Sequence, residues 1–285
     1  MALDISRRIR KIYPDLSKGH KRLANAVLYE YETVALMTAA RLGYKVGVSE
    51  STVVRFARAI GYSSYSEFQE AIVELAKSKL TPNQRIDMTK QRFGNDNVLD
   101  SVMNSDINKI RHTIENLDRA AFFSSINSIL SAKTIYIIGT RGSEPIAKIL
   151  YYNLSLILDN VRFVDTSSSS EVFEQMFSIS EEDVLIAFSF PRYSTRVVKA
   201  IKFAESMGAT TIACTDSSIS PLAEHAKYLL LAQSDMASYM DSLVAPISLI
   251  NAMIVEITSR REKQIRERFD KLEDIWQEYA IYEKI

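Results

Sequence analysis

Apolar residues change their spacing along this chain of 285 residues. In the first eighty positions they fall three and four apart. Ile5, Ile9 and Ile12 lead up to Pro14, and Leu23, Ala24, Val27, Leu28 and Tyr31 form a second face behind Ser17, a residue type that caps helices. This pattern predicts a small bundle of short helices and no strand. From Val98 a longer helix is expected, with Val102, Ile107, Ile110, Ile114 and Leu117 as its stripe. Phe122, Phe123, Ile126, Ile129 and Leu130 make another, and both stripes are read as core.

Beyond residue 133 the apolar runs become continuous. They predict strands near 134–138, 161–164, 183–189, 210–214 and 228–231, with amphipathic segments between them. Strands that are apolar throughout and alternate with helices imply a parallel sheet covered on both faces. The expected fold is α/β, a three-layer, doubly wound, five-stranded parallel sheet preceded by an all-α domain. The polar, turn-forming stretches Leu80-Thr81-Pro82-Asn83-Gln84 and Arg92-Phe93-Gly94-Asn95-Asp96-Asn97 divide the chain into a helical domain at 1–79, a linker at 80–97 and the α/β domain at 98–285. Near the end, residues 241–246 open a helix that is apolar nearly all round to Ile257, as burial in a core or at a subunit contact requires. Phe269, Leu272, Trp276 and Tyr279 then form a narrow seam for a helix of the same chain or of a dimer partner.

Composition removes some classes. The 47% hydrophobic content suits a globular protein; no apolar run approaches the length of a membrane span, and the polar start is unlike a secretory signal, so a cytoplasmic protein is expected. The single cysteine, Cys214, ends an apolar run and reads as a small core residue; it excludes an internal disulfide and a cysteine-based zinc cluster, and no cofactor is expected. Net charge is zero, but residues 1–79 carry 13 Lys+Arg against 8 Asp+Glu, whereas the rest carries 22 against 27. A basic first module on an acidic body points to a polyanionic partner.

Two regions carry candidate chemistry. In Thr38 to Tyr62 a short helix ends at a turn containing Gly47, and Ser49 caps a second helix whose Val53, Phe56, Ala57 and Ile60 face inwards. Glu50, Ser51, Thr52, Arg55 and Arg58 then face outwards, which is helix-turn-helix spacing. In that motif the N-terminal part of the second helix meets base edges, so Ser51, Thr52 and Arg55 are the expected readers, while Ser49 bonds its own backbone and a phosphate. His20, Lys21 and Arg22 are read as solvated surface.

The second region is a pair of turns. Ile135 to Ile138 run into Gly139-Thr140-Arg141-Gly142-Ser143, and Val184 to Phe188 run into Ser189-Phe190-Pro191-Arg192-Tyr193-Ser194. Each is a buried strand giving way to hydroxyls at a helix start, where free N–H groups and the helix dipole attract anions. Two strand ends of one parallel sheet open on the same side, so Gly139, Thr140, Arg141, Ser143, Ser189, Arg192 and Ser194 are expected to converge on one anionic metabolite. Thr166 to Ser170, after the second strand, supply hydroxyls for a rim or form a plain surface loop.

Val48-Ser49-Glu50-Ser51-Thr52-Val53-Val54-Arg55-Phe56, with Gly61-Tyr62 and Ser66-Glu67-Phe68, resembles the N-terminal domain of the RpiR family of bacterial transcription regulators. The turns at Gly139 to Ser143 and Ser189 to Ser194 resemble that family's sugar isomerase (SIS) domain, so the likeness spans nearly the whole chain. It implies a dimer, or dimer of dimers, that binds operator DNA and a phosphorylated sugar, with Ser143, Ser189 and Ser194 holding the phosphate. It also implies a role in carbohydrate metabolism and no membrane partner. The chain departs from the family pattern in having Arg141 where glycine is frequent, and Pro191 and Arg192 where serine or glycine is frequent. The ligand then carries more negative charge, or the arginines fill the site. SIS domains also occur in aldose–ketose isomerases, for which Glu171, Glu224, Glu256 and His225 are the available acids and bases. An isomerase with an accessory helical module is therefore the alternative to a regulator without catalysis.

Overall fold

A computed structural model describes residues 2–76, 80–93, 97–168 and 171–283. The chain forms two compact units, one of residues 1–98 with the short segment Met236–Met240, the other of 99–235 with 241–285.

The first unit is helical: α1 (Ala2–Ile12), α2 (Lys18–Tyr29), α3 (Tyr31–Val34), α4 (Ala39–Val46), α5 (Glu50–Ala59), α6 (Tyr65–Ala76) and α7 (Pro82–Phe93). The three-four spacing becomes one shared core, in which Ile5, Ile9, Leu23, Val27, Leu42, Val53, Phe56, Phe68 and Ile72 are wholly buried. Phe56 and Phe68 meet edge to face at 5.9 Å, a favoured arrangement for aromatic pairs. Met236 also lies in this core. Ser17 caps α2 as expected, accepting from the His20 N–H, but Tyr31 begins the next helix instead of extending that face. The stretch 80–97 contains a helix, α7, with Arg85 buried in it; Gly94, Asn95 and Asp96 lie outside the described residues.

The second unit contains α8 (Val98–Asn116, from Leu99), α9 (Arg119–Ser131) and five strands: β1 (Ile135–Gly139), β2 (Val161–Phe163), β3 (Val184–Phe188), β4 (Thr210–Thr215) and β5 (Tyr228–Leu231). The strands are parallel in the order β2-β1-β3-β4-β5. The crossovers run through α10 (Glu144–Ile157), α11 (Glu171–Gln175) and α12 (Thr195–Ser206), and α13 (Val244–Arg260) and α14 (Glu262–Glu278) complete the unit. Every residue of β1 and of β3 is buried, and separate apolar clusters cover the two faces of the sheet, as continuous apolar strands require. Cys214 is part of this core, and burial pushes its thiol up to about 12, which leaves it an inert apolar side chain.

One expectation fails. The stripe on α8 is only partly core: Leu117 packs against the sheet's core and Val102 and Ile110 are half-buried, but Ile107 and Ile114 are 51% and 57% exposed, while Lys109 and Thr113 on the same helix are buried. The connection from β5 to α13 needs polar partners there. Thr113 Oγ1 accepts from the Gln233 N–H at 2.9 Å, and Asp106 Oδ1 accepts from Ser242 Oγ at 2.7 Å and pairs with Lys109 Nζ at 3.0 Å. A buried loop N–H without an acceptor is costly, so the polar face turns inwards. Phe123 on α9 is likewise 43% exposed, with the Arg260 guanidinium over its ring. The start of the final seam lies on its own chain, with Ile265 buried, Phe269 packed on the sheet's core and Arg268 bonded to the Ser155 carbonyl of α10, whereas Tyr279 at its end is exposed.

Candidate functional site

The helical unit builds a compact pair from α4 and α5. Gly47 ends α4 at φ +71°, a left-handed conformation that glycine adopts without strain, and Ser49 then caps α5, its Oγ accepting from the Thr52 N–H. Gly43 lets the two helices approach, since a Cβ there would stand 2.8 Å from the Val48 carbonyl oxygen. This glycine is missed by periodicity, because it sits inside a helix where only the crossing explains it. With Val53, Phe56 and Ala57 buried, Glu50, Ser51, Arg55 and Arg58 are exposed on the opposite face, with Thr52 half-buried beside them. The Ser49 hydroxyl is within 2.9 Å of Ser51 Oγ and 2.8 Å of Thr52 Oγ1, and Arg55 Nη2 donates to Thr52 Oγ1 at 3.2 Å. The expected readers therefore form one hydroxyl–guanidinium chain along the first turns of α5. His20 is not plain surface: its ring packs on Phe56 at 5.5 Å, and burial, then the nearby Arg55 charge, lowers its pKa. Lys21 reaches the Pro14 carbonyl.

In the α/β unit, β1 and β3 are neighbours whose last residues, Gly139 and Phe188, are paired in register. The connections from these two strands leave in opposite directions across the sheet, so a crevice opens between their carboxyl ends, the switch point where open α/β sheets bind ligands. All seven residues expected at the turns lie at or just beyond these two ends.

The first turn is tight. A Cβ on Gly139 would lie 2.6 Å from the Ser143 carbonyl oxygen and 2.7 Å from Ala147 Cβ, so no other residue fits. Residues Arg141–Ser143 form one turn of 3₁₀ helix leading into α10, and Ser143 N–H donates back to the Thr140 carbonyl at 3.1 Å. Ser143 is only 8% exposed, yet its hydroxyl has no hydrogen-bond partner among the described residues. The second turn is closed by its own serine, Ser189 Oγ accepting from the Ser194 N–H at 3.0 Å, while Ser194 caps α12 without a side-chain bond. Arg141 and Arg192 are both exposed at the apices of these turns.

Thr166, one of the hydroxyls expected at the rim, and Arg196, which the sequence leaves unassigned, tie the turns together. Thr166, buried after β2, donates its hydroxyl to Thr140 Oγ1 at 2.9 Å, and its carbonyl accepts from Arg196 in the first turn of α12. The rim of hydroxyls is therefore attached to both turns through Thr166; Ser169 and Ser170 lie outside the described residues. A cleft of about 270 Å³ between α11 and α12 is lined by Val172, Phe173, Thr195, Arg196 and Lys199. Tyr193 OH donates to Asp216 Oδ1 at 2.9 Å, which holds the second turn against the end of β4. His225 precedes β5, at the amino end of the sheet, where it pairs with Glu205 at 2.6 Å. It is thus at the opposite end from the turns. Glu256 is taken up by Arg260 on its own helix.

Residues 3–80 match the model of the rpiR-family helix-turn-helix domain, and residues 128–256 match that of the SIS domain. An uncharacterised HTH-type transcriptional regulator of Haemophilus influenzae is 27% identical over 89% of this chain and 90% of its own. The sugar isomerase domain of an RpiR transcription factor from Sphaerobacter thermophilus superposes with a TM-score of 0.58 at 24% identity, over 61% of this chain and 96% of that domain. The Vibrio vulnificus NanR protein, in its complex with ManNAc-6P, superposes with a TM-score of 0.60 at 18% identity, over 96% of this chain and 98% of that one. These two likenesses concern the fold. Together the two domain matches place the chain in the RpiR family of helix-turn-helix transcriptional regulators, with a SIS domain after its DNA-binding domain.

Proposed function

We propose that this regulator binds operator DNA through Ser49, Glu50, Ser51, Thr52, Arg55 and Arg58, and that its SIS domain senses a phosphorylated sugar at the crevice between β1 and β3. The observation that carries the reading is Ser143: a residue only 8% exposed whose hydroxyl has no partner among the described residues, at the start of α10 and beside the register-matched ends of the two strands. Such hydroxyls, with helix-terminal amides, hold phosphate oxygens. Ser194 and the amides opening α12 supply the same chemistry from the second turn. That NanR is described in complex with ManNAc-6P supports a phosphosugar as the class of effector.

The protein works in the cytoplasm as a homodimer. Among the described residues no helix is long and apolar enough to cross a membrane, and α8 offers an uncovered apolar stripe, Leu99, Met103, Ile107 and Ile114, for a second copy. An effector that fits two arrangements of the dimer unequally shifts the spacing of the paired recognition helices, and with it operator affinity.

Fluorescence anisotropy with operator DNA, and calorimetry with phosphosugars, separate the two sites. Arg55→Ala is expected to weaken operator binding about tenfold or more while leaving sugar affinity unchanged. Unchanged operator affinity and salt dependence in Arg55→Ala would refute the assignment of α5 as the reader.

A further inference from the structure

Four non-glycine residues among those described have positive φ, and two of them are Arg141 at +54° and Arg192 at +65°, one in each turn of the crevice. Left-handed backbone is unfavourable for a residue with a Cβ and natural for glycine. The sequence could relieve the first case locally. Gly142 is the next residue, its φ is not positive, and a Cβ there would meet nothing within 4 Å. Glycine therefore stands where a side chain fits, and arginine stands where glycine would be relaxed.

The second turn repeats the arrangement. Each turn is folded on itself, the first by the approach of Gly139 to the Ser143 carbonyl and the second by the bond between Ser189 Oγ and the Ser194 N–H. Each arginine thus belongs to a closed turn just beyond the end of one of the two strands. Both are exposed, and among the described residues neither guanidinium has a hydrogen bond or an ion pair. Strained backbone kept at two matching places, each with an unspent guanidinium, indicates that the charge at those two points is what is selected.

We propose that Arg141 and Arg192 are specificity-determining residues that select phosphosugars bearing a second anionic group, a carboxylate or another phosphate. This rests on the phosphosugar reading of the crevice. The hydroxyls of Ser143 and Ser194 and the amides opening α12 serve one phosphate without the arginines. Two further cations add a large gain only for a ligand that brings further negative charge, because a guanidinium bonds a carboxylate or phosphate far more strongly than a neutral hydroxyl.

The test is calorimetry on the full-length protein with ligands paired to differ in the second anion. Glucose 6-phosphate is compared with 6-phosphogluconate, and fructose 6-phosphate with fructose 1,6-bisphosphate, with inorganic phosphate alongside. The two pairs distinguish a carboxylate from a phosphate as the second group. The parent is expected to bind the more charged member of at least one pair about tenfold or more tightly. Arg141→Gly and Arg192→Gly should each reduce that preference, and the double variant should abolish it, with a thermal midpoint equal to or above that of the parent. Arg141→Gly/Gly142→Arg, which moves the charge by one position, should reduce the preference as Arg141→Gly does. Equal binding within both pairs, or a preference that survives the double variant, overturns this inference and leaves the phosphosugar reading standing. No binding of any phosphosugar by the parent overturns both.

Discussion

Gly139 and Gly142 are three residues apart in one turn, and the structure gives them opposite fates on substitution by alanine. At Gly139 the added Cβ would lie 2.6 Å from a backbone oxygen and 2.7 Å from Ala147 Cβ, and neither can be moved by changing a rotamer. Relief requires shifting the end of β1 away from α10, and forced overpacking of this kind costs roughly 1–3 kcal/mol. For a domain of this size, 2 kcal/mol corresponds to a fall of about 4–8 °C in the unfolding midpoint. At Gly142 the Cβ meets nothing within 4 Å and φ is not positive, so alanine mainly restricts the unfolded chain and should stabilise by about 0.4–1 kcal/mol. Thermal unfolding followed by circular dichroism compares the two variants with the parent. Gly139→Ala should also lose affinity for any phosphosugar, because the turn that presents Ser143 moves, whereas Gly142→Ala should retain it. If Gly139→Ala unfolds at the parent's midpoint, or the two variants shift alike, the described turn is wrong.

The lowered pKa of His20 ties the helical unit to pH. Its folded form resists protonation, so the unfolded chain takes up a proton first as pH falls below the ordinary histidine value of 6.5; stability is full above that value and declines beneath it. Urea unfolding of the full chain at pH 7.5 and 5.5 should show the helical unit weakened at the lower pH, by less in His20→Gln, and identical pH dependence in the two proteins would contradict this. On α8, Ile107→Lys with Ile114→Lys changes only exposed positions and should be nearly neutral in an isolated chain. If that face is the subunit contact, sedimentation should show the parent as a dimer and the variant as a monomer; a variant that remains dimeric would rule the face out.

Much of the fold was legible because continuous apolar runs have few other uses. The five strands fall within a residue or two of their expected positions, and their parallel pairing follows from the helices between them. The convergence of the turns was legible for the same reason: adjacent parallel strands end on one side. What the sequence hid were contacts set by distance in space. Thr166 looks like the first of several interchangeable hydroxyls, and only the meeting of β2 with β1 singles it out as the partner of Thr140. Gly43 owes its role to a helix crossing, and His20 to a phenylalanine thirty-six positions away. The left-handed conformation of the two arginines is equally invisible, since arginine gives no signal of it.

The reversal of α8 has a different origin and bears on assembly. A helical stripe in a sequence shows that one face is apolar; it does not show that this face meets the chain's own core. Here the opposite face is taken by Thr113, Asp106 and Lys109, because the connection from β5 to α13 brings a backbone N–H and a serine hydroxyl that only polar groups can satisfy. Each of these groups would cost about 1–3 kcal/mol if left unpaired, and the polar residues of α8 satisfy them. Leu99, Met103, Ile107 and Ile114 then remain exposed along this nineteen-residue helix. In the homodimer proposed above, an exposed apolar stripe of this kind would meet its own copy across a two-fold axis.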